Sequence, residues 1–320
     1  MSLHSSITGY DFTGRIISSP HFASGTKVLG MTWPAPFRPL HAGAHQSSII
    51  HEDKELLLPK PGDMAEETAA GMFSALLTAA DGIVNGLGYA LPAAGVDGKK
   101  PEGGNRGILI WGGASAVGWA AVQVAREVGI KHIFAVCSER NFEAVKSVGA
   151  TEVFDYRLGG DVVSQQIRQK TKELGVELSE VFDCVGAGLG IFEPEDASAA
   201  KKWEESSPAI AKRSLLPHVL EGGNLKGKLW CVLPVTQDDD WQFVLFSRKW
   251  PGGEALEERP GWWERQRKVV SWFVENHKKV WKPLPKIRVV NEAEEAVKAI
   301  HDVFEGKLSM EKVLIRHPML

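Results

Sequence analysis

Cysteine is nearly absent from this sequence of 320 residues. Its three cysteines, Cys137, Cys184 and Cys231, lie inside apolar runs (FAVCS, VFDCVG, LWCVLPV), and none belongs to a CxxC pair. That argues against a disulfide framework and against a structural zinc site, and predicts buried, reduced thiols in a cytoplasmic setting. A basic surplus is also missing: 37 Lys and Arg face 40 Asp and Glu, for a net charge of -3, so a nucleic-acid partner is not expected. No block of like charges reads as an interaction tail. Neither GxSxG nor HExxH occurs, which sets aside a nucleophile-elbow hydrolase and a zinc protease. The start, MSLHSSITGYDFTGRII, lacks a basic region followed by an apolar core, so a secretory leader is not expected.

What is there fits a soluble globular protein of about two domains, with 43% hydrophobic and 24% charged residues. The one long uncharged run covers residues 107–125, 19 in all, inside RGILIWGGASAVGWAAVQVAREVG. Its length is that of a membrane span, but glycines crowd its middle and the apolar period changes across them. The run reads instead as a strand (GILIW), a tight turn (GGASA) and a helix. Val117, Ala121, Val124 and Val128 would share one face of that helix, and Gly129 would end it. Small residues at such a turn let a pyrophosphate approach the bare N–H groups of a helix N-terminus. The pattern is not a clean GxGxxG, because Ser115 takes the central glycine position.

The following segments alternate in kind. HIFAVCSERN, TEVFDYR, SEVFDCVGAG and GKLWCVLPV read as strands; FEAVKSVGA and DVVSQQIRQKTKEL read as helices. Alternation of this sort predicts an α/β fold with a doubly wound parallel sheet of the Rossmann type. The second strand ends in Ser138, Glu139, Arg140 and Asn141. Ser138, Arg140 and Asn141 suit the 2′-phosphate of NADPH through charge-assisted hydrogen bonds. Glu139 argues for NAD if it points inward.

The stretch WGGASAVGWAAVQVAREVG…AVCSERNFEAVKSVGATEVFDYR resembles the medium-chain dehydrogenase/reductase superfamily. The closest branch is that of the zinc-free quinone reductases and the fungal trans-acting enoyl reductases. GYDFTGRI, GTKVLGM, AEETAAGMFSALLTAADGI and VFEGKLSMEKVLIRHP resemble family segments in the same order. The resemblance implies a second, smaller, β-rich domain of the GroES-like kind at 1–80 and 284–320, beside a Rossmann NADPH-binding domain at 81–283. Family members carry further β-barrel strands ahead of GYDFTG that have no counterpart here. The expectation is an N-terminally truncated small domain, through a clipped gene model or a true loss.

Residue by residue, the resemblance puts Ala114, Ser115, Ala116 and Val117 at the pyrophosphate. It puts Ser138, Arg140, Asn141 and Tyr156 at the adenosine phosphate. Leu233 and Pro234 would lie beside the nicotinamide, with Leu308 and Ser309 as a further cofactor contact. Thr78 would orient the nicotinamide or the substrate; a helix threonine bonding back to a carbonyl is the plain alternative. Met72 and Phe73 would line the substrate cleft or belong to the core. No metal ligands and no catalytic proton donor are assigned. The implied activity is NADPH-dependent reduction of an activated C=C bond in an enone or enoyl thioester, or of a quinone, with a polyketide synthase as partner and a monomer or homodimer as the assembly. A nucleotide-binding protein without turnover and a cleft reused for a non-redox step are the alternatives.

Overall fold

Residues 7–32, 41–51, 54–101, 105–186, 197–219, 225–245 and 259–319 are described in the computed structural model. The chain divides into two units, Met1–Leu77 with Phe246–Leu320, and Thr78–Leu245. The first unit opens with three strands, β1 (Asp11–Arg15), β2 (Lys27–Met31) and β3 (Leu57–Pro59), paired antiparallel in that order. The segment QSSIIH, strand-like in composition, is irregular. Its last residue, His51, offers Nε2 to the Met31 carbonyl at 2.8 Å, so a side chain meets that group in place of another strand.

The segment AEETAAGMFSALLTAADGI begins with two helices. After α1 (Glu66–Ala69) the chain is interrupted around Gly71, and α2 spans Phe73–Ala80. Asp11 caps α2 from a distance, accepting the Ser74 N–H at 2.9 Å and the Ser74 hydroxyl at 2.8 Å. The division between the units falls inside α2, between Leu77 and Thr78. The helix then widens into a π-helical stretch at Asp81–Gly86.

The second unit is built on six parallel strands: β4 (Arg106–Trp111), β5 (His132–Cys137), β6 (Glu152–Asp155), β7 (Glu177–Asp183), β8 (Leu229–Cys231) and β9 (Trp241–Phe243). Their spatial order is β6-β5-β4-β7-β8-β9, so the chain starts in the middle and winds outward both ways. Helices α3 (Ala116–Glu127), α4 (Phe142–Ser147), α5 (Gly160–Leu174), α6 (Ala197–Glu204) and α7 (Ser207–Val219) connect the strands. Leu109, Trp111, Phe134, Val136 and Phe154 join Val163 and Ile167 of α5 and Ile210, Ala211 and Leu215 of α7 in one core. The intervening Ile108 and Ile110 are equally buried on the opposite side of the pleat. Such strands read as unbroken apolar runs because both faces are covered. This is the doubly wound α/β architecture that the alternating pattern predicts, accompanied by a smaller antiparallel sheet.

Two local expectations change. α3 does not show a single buried stripe: residues 118–125 are all buried, and Val117 is only partly so. The cause is that α3 is covered on one side by β4 and β5 and on another by the π-helical stretch. Strand β8 stops at Cys231, short of the Leu233–Pro234 pair, because proline has no N–H to give a ladder. β9, in the WQF segment, was not foreseen.

The chain continues through α8 (Trp262–Glu275) and α9 (His277–Val280), then β10 (Lys286–Val290), α10 (Ala293–Phe304) and β11 (Glu311–Ile315). On α8, Trp263, Gln266, Val270 and Phe273 are buried on one face, whereas His277, at the same helical spacing, lies in α9 and is only partly buried. Gln266 Nε2 donates to the Leu77 carbonyl at 3.1 Å, and Arg267 Nε to the Glu55 carbonyl at 3.0 Å. Residues from Phe246 onward group with the first unit, whereas the sequence reading returns the chain to it at 284. β10 and β11 pair in parallel. Glu292 holds the cap position of α10, without a side-chain bond. Gly306 closes the helix region with φ +67°.

Candidate cofactor-binding site

In a parallel sheet all C-terminal strand ends lie on one edge, and loops leaving that edge bind ligands. The turn after β4 begins at Gly112, whose φ of +81° suits glycine. The N–H groups of Gly112 and Gly113 both donate to the Val136 carbonyl, at 2.9 and 3.0 Å, pinning the turn to β5. Ser115 is the N-cap of α3: its Oγ accepts the Gly118 N–H at 3.0 Å and lies 3.4 Å from the Cys184 carbonyl. The side chain at the central fingerprint position is therefore occupied in capping the helix. Gly118 allows the close seat of α3 on the turn, since a Cβ there would stand 2.1 Å from the Gly112 carbonyl oxygen. The N–H groups of Ala114, Ala116 and Val117 make no hydrogen bond among the described residues, and all three residues are partly exposed. Open donors at the start of a helix of 12 residues, flanked by small side chains, fit a dinucleotide pyrophosphate.

The residues expected at the adenosine phosphate gather at the neighbouring strand ends. β5 and β6 pair Cys137 with Asp155 as their last partners, so Ser138 and Tyr156 leave the sheet side by side. Ser138 and Asn141 are buried, and Asn141 Nδ2 donates to Ser138 Oγ at 3.0 Å. Arg140 is exposed, and Tyr156 is 52% exposed. One residue here escaped the sequence reading although it belongs to the FDYR segment. Arg157 grips Asp155, with Nη2 2.6 Å from Oδ2 and Nε 3.0 Å from Oδ1, and stands 3.9 Å from Glu139. The Arg157 hydrogen bond holds the Asp155 carboxyl below the usual carboxylate range.

At the end of β7, Asp183 is fully buried. Its Oδ1 accepts the Val185 and Gly186 N–H groups, both at 2.8 Å, which folds the loop back over the strand end. Leu233 lies against Gly186 and is partly buried, as is Pro234. The same unit holds Thr78, 7% exposed, one turn before Asp81. Asp81 accepts the Leu245 N–H at 2.8 Å and the Asn85 amide at 2.9 Å. Gly82 and Gly86 face the rings of Phe182 and Trp230, where a Cβ would collide at 2.7 and 2.6 Å, so the π-helical stretch lies directly on β7 and β8. Met72 and Phe73, in the first unit, are fully buried, and Leu308 and Ser309, in the turn before β11, are partly buried. The thiols are buried, and desolvation raises the Cys137 pKa to about 12, so it is no nucleophile at neutral pH. Among the described residues no group of three or more His, Cys, Asp or Glu side chains is placed to hold a metal ion. No helix among them is long and apolar enough to cross a membrane.

Residues 116–191 match the family model described as zinc-binding dehydrogenase. A trans-enoyl reductase of Cordyceps militaris, milB, is 31% identical over 198 residues, which are 60% of this chain and 52% of that protein. The alignments span about half the length of such curated relatives or less. Among solved structures, CurK enoyl reductase superposes with a TM-score of 0.58 at 19% identity, over 97% of this chain and 80% of that one. The yhdH oxidoreductase of Salmonella enterica, solved in complex with NADP, gives 0.53 at 18% identity, over 97% and 82%. The family match is confined to residues 116–191, and the solved structures, at 18% and 19% identity, share the fold.

Proposed function

We propose that this medium-chain dehydrogenase/reductase-like chain is an NADPH-dependent reductase of the enoyl reductase type. Its substrate class is an activated alkene, as in an enone or an enoyl thioester, with quinones as the second acceptor to test. A polyketide synthase is the partner that would present a thioester. The observation that carries the reading is the turn at 112–118, with three open N–H donors at the start of α3 on the C-terminal edge of the sheet. The likeness to proteins named trans-enoyl reductase supports the reaction type, and the NADP complex of a structural neighbour supports the nucleotide.

In this reading the N–H groups of Ala114, Ala116 and Val117 bind the pyrophosphate. Ser115 fixes their direction by capping the helix. Ser138, Arg140, Asn141 and Tyr156 hold the adenosine phosphate, with Arg140 as the exposed cation. Leu233 and Pro234 flank the nicotinamide, and Thr78 orients it. NADPH supplies the hydride; the protein supplies direction and exclusion of water. The test is a titration of the full chain with NADPH, followed by reduced-nicotinamide fluorescence. A panel of enones, enoyl thioesters and quinones is then added and loss of the reduced cofactor is recorded. Saturable binding, with consumption on at least one acceptor class, is the expected result. Binding without consumption on any acceptor overturns the reductase; no binding overturns the nucleotide site as well.

A further inference from the structure

The end of β5 carries an acidic residue, Glu139, where dinucleotide folds place the carboxylate that holds a ribose 2′-hydroxyl and repels a 2′-phosphate. The neighbouring strand end answers it. β5 and β6 part company at the Cys137–Asp155 pair, and two residues further on Glu139 and Arg157 face each other, Oε2 to Nη2 at 3.9 Å. Arg157 does not wander there. Asp155, whose side chain is 10% exposed, holds its guanidinium through Nε at 3.0 Å to both carboxylate oxygens and through Nη2 at 2.6 Å. A planar fork gripped this way is pre-positioned, with little left to lose on ordering. We infer that Arg157 determines the preference for a 2′-phosphorylated nucleotide, by neutralising Glu139 beside the phosphate subsite. This rests on the cofactor reading above.

The charges at the two strand ends explain the effect. Asp155 and Glu139 carry two negative charges, and Arg140 and Arg157 carry two positive ones, so the cluster is neutral in the native chain. Without Arg157 it is left with one net negative charge beside a phosphate of nearly two. Glu139 and Arg157 are both substantially exposed, with side chains 77% and 49% accessible, so solvent and salt screen the interaction. The effect is therefore one of selectivity, about tenfold in the ratio of the two nucleotide affinities at low salt, and it shrinks as salt is added.

The test uses the full chain and four variants, Arg157→Gln, Arg157→Lys, Glu139→Gln and the Glu139→Gln/Arg157→Gln pair. Dissociation constants for NADPH and for NADH are read by nicotinamide fluorescence at low and high salt. Arg157→Gln is expected to weaken NADPH about tenfold and leave NADH within about twofold. Glu139→Gln should tighten NADPH, the double variant should recover most of the loss, and Arg157→Lys, which keeps the charge but not the fork, should keep only part of the preference. An equal loss for both nucleotides in Arg157→Gln, or no loss for either, makes Arg157 a brace for the strand ends and overturns the inference. A native chain that prefers NADPH, combined with an unmoved ratio in Arg157→Gln, overturns this inference alone. A native chain with no affinity for either nucleotide overturns the cofactor reading together with it.

Discussion

Asp183 has one oxygen fully used and one idle. Oδ1 takes two backbone N–H groups, while Oδ2 has no hydrogen-bond partner among the described residues, and the nearby Ser207 Oγ likewise has none. Burial pushes the carboxyl above the usual carboxylate range, against the opposing pull of the Gly186 and Val185 N–H groups. The folded state thus binds this proton more tightly than the unfolded one does. The contribution to stability is full below the unfolded value of about 3.9 and is lost as pH rises through the raised folded value. Asp183→Asn keeps the Oδ1 acceptor and turns a donor toward the unpartnered Ser207 hydroxyl. The variant is predicted to gain thermal stability over the native chain as pH rises from the acid side toward neutrality. Melting curves across that range check it, and a native-minus-variant difference that does not change with pH removes the idea. FDCVG reads as the end of a strand in the sequence, but the idle oxygen belongs to the packing around β7 and α7 and leaves no trace in the order of residues. Arg157 stayed hidden for a similar reason: its partner Glu139 lies 18 positions away and meets it only through the register of β5 and β6.

At the scale of elements, the strand, turn and helix of 106–127 were legible because each leaves a local mark: an apolar run, a cluster of small residues, then a 3.6-residue period. Where the sequence reading failed, the deciding partner was distant. WQF becomes β9 only because β8 offers an open ladder, with Leu229 opposite Trp241. QSSIIH has the composition of a strand, yet no strand among the described residues pairs with it. The seat of α3 on its turn tests the legible part. A methyl at Gly118 would stand 2.1 Å from the Gly112 carbonyl oxygen and 2.9 Å from the Gly113 Cα, both backbone atoms that cannot swing away. Alanine gains about 1 kcal/mol of helix propensity over glycine, but overpacking against fixed backbone costs about 1–3 kcal/mol. Gly118→Ala is therefore predicted to lower the melting temperature, and to weaken NADPH by more than stability alone explains, because the N–H groups at 114–117 would be re-aimed. Thermal melting and nucleotide titration of the same preparation measure both. Unchanged affinity in a folded variant would show that the turn does not hold the pyrophosphate.

The whole molecule confines the proposed nucleotide contacts at 114–117, 138–141, 156 and 233–234 to the unit spanning Thr78–Leu245. Anything that binds the folded state alone stabilises it by mass action, about 2.7 kcal/mol at a ligand concentration of 100 times Kd. That gain must come from contacts, and the contacts are local. The N–H groups of Ala114, Ala116 and Val117, which make no hydrogen bond among the described residues, are amides with much to gain from an acceptor. Hydrogen exchange of the full chain, with and without saturating NADPH, should therefore slow at the start of α3 and at the ends of β5 and β6. The three-stranded antiparallel sheet at 11–59 should exchange at its native rate. Adenosine 2′-monophosphate, which lacks the nicotinamide and both phosphates of the pyrophosphate, should protect the β5 and β6 ends and leave 114–117 fast. That contrast separates the phosphate subsite of Arg140 and Tyr156 from the pyrophosphate turn. Protection that appeared in the antiparallel sheet and spared residues 114–117 would move the nucleotide out of this unit altogether.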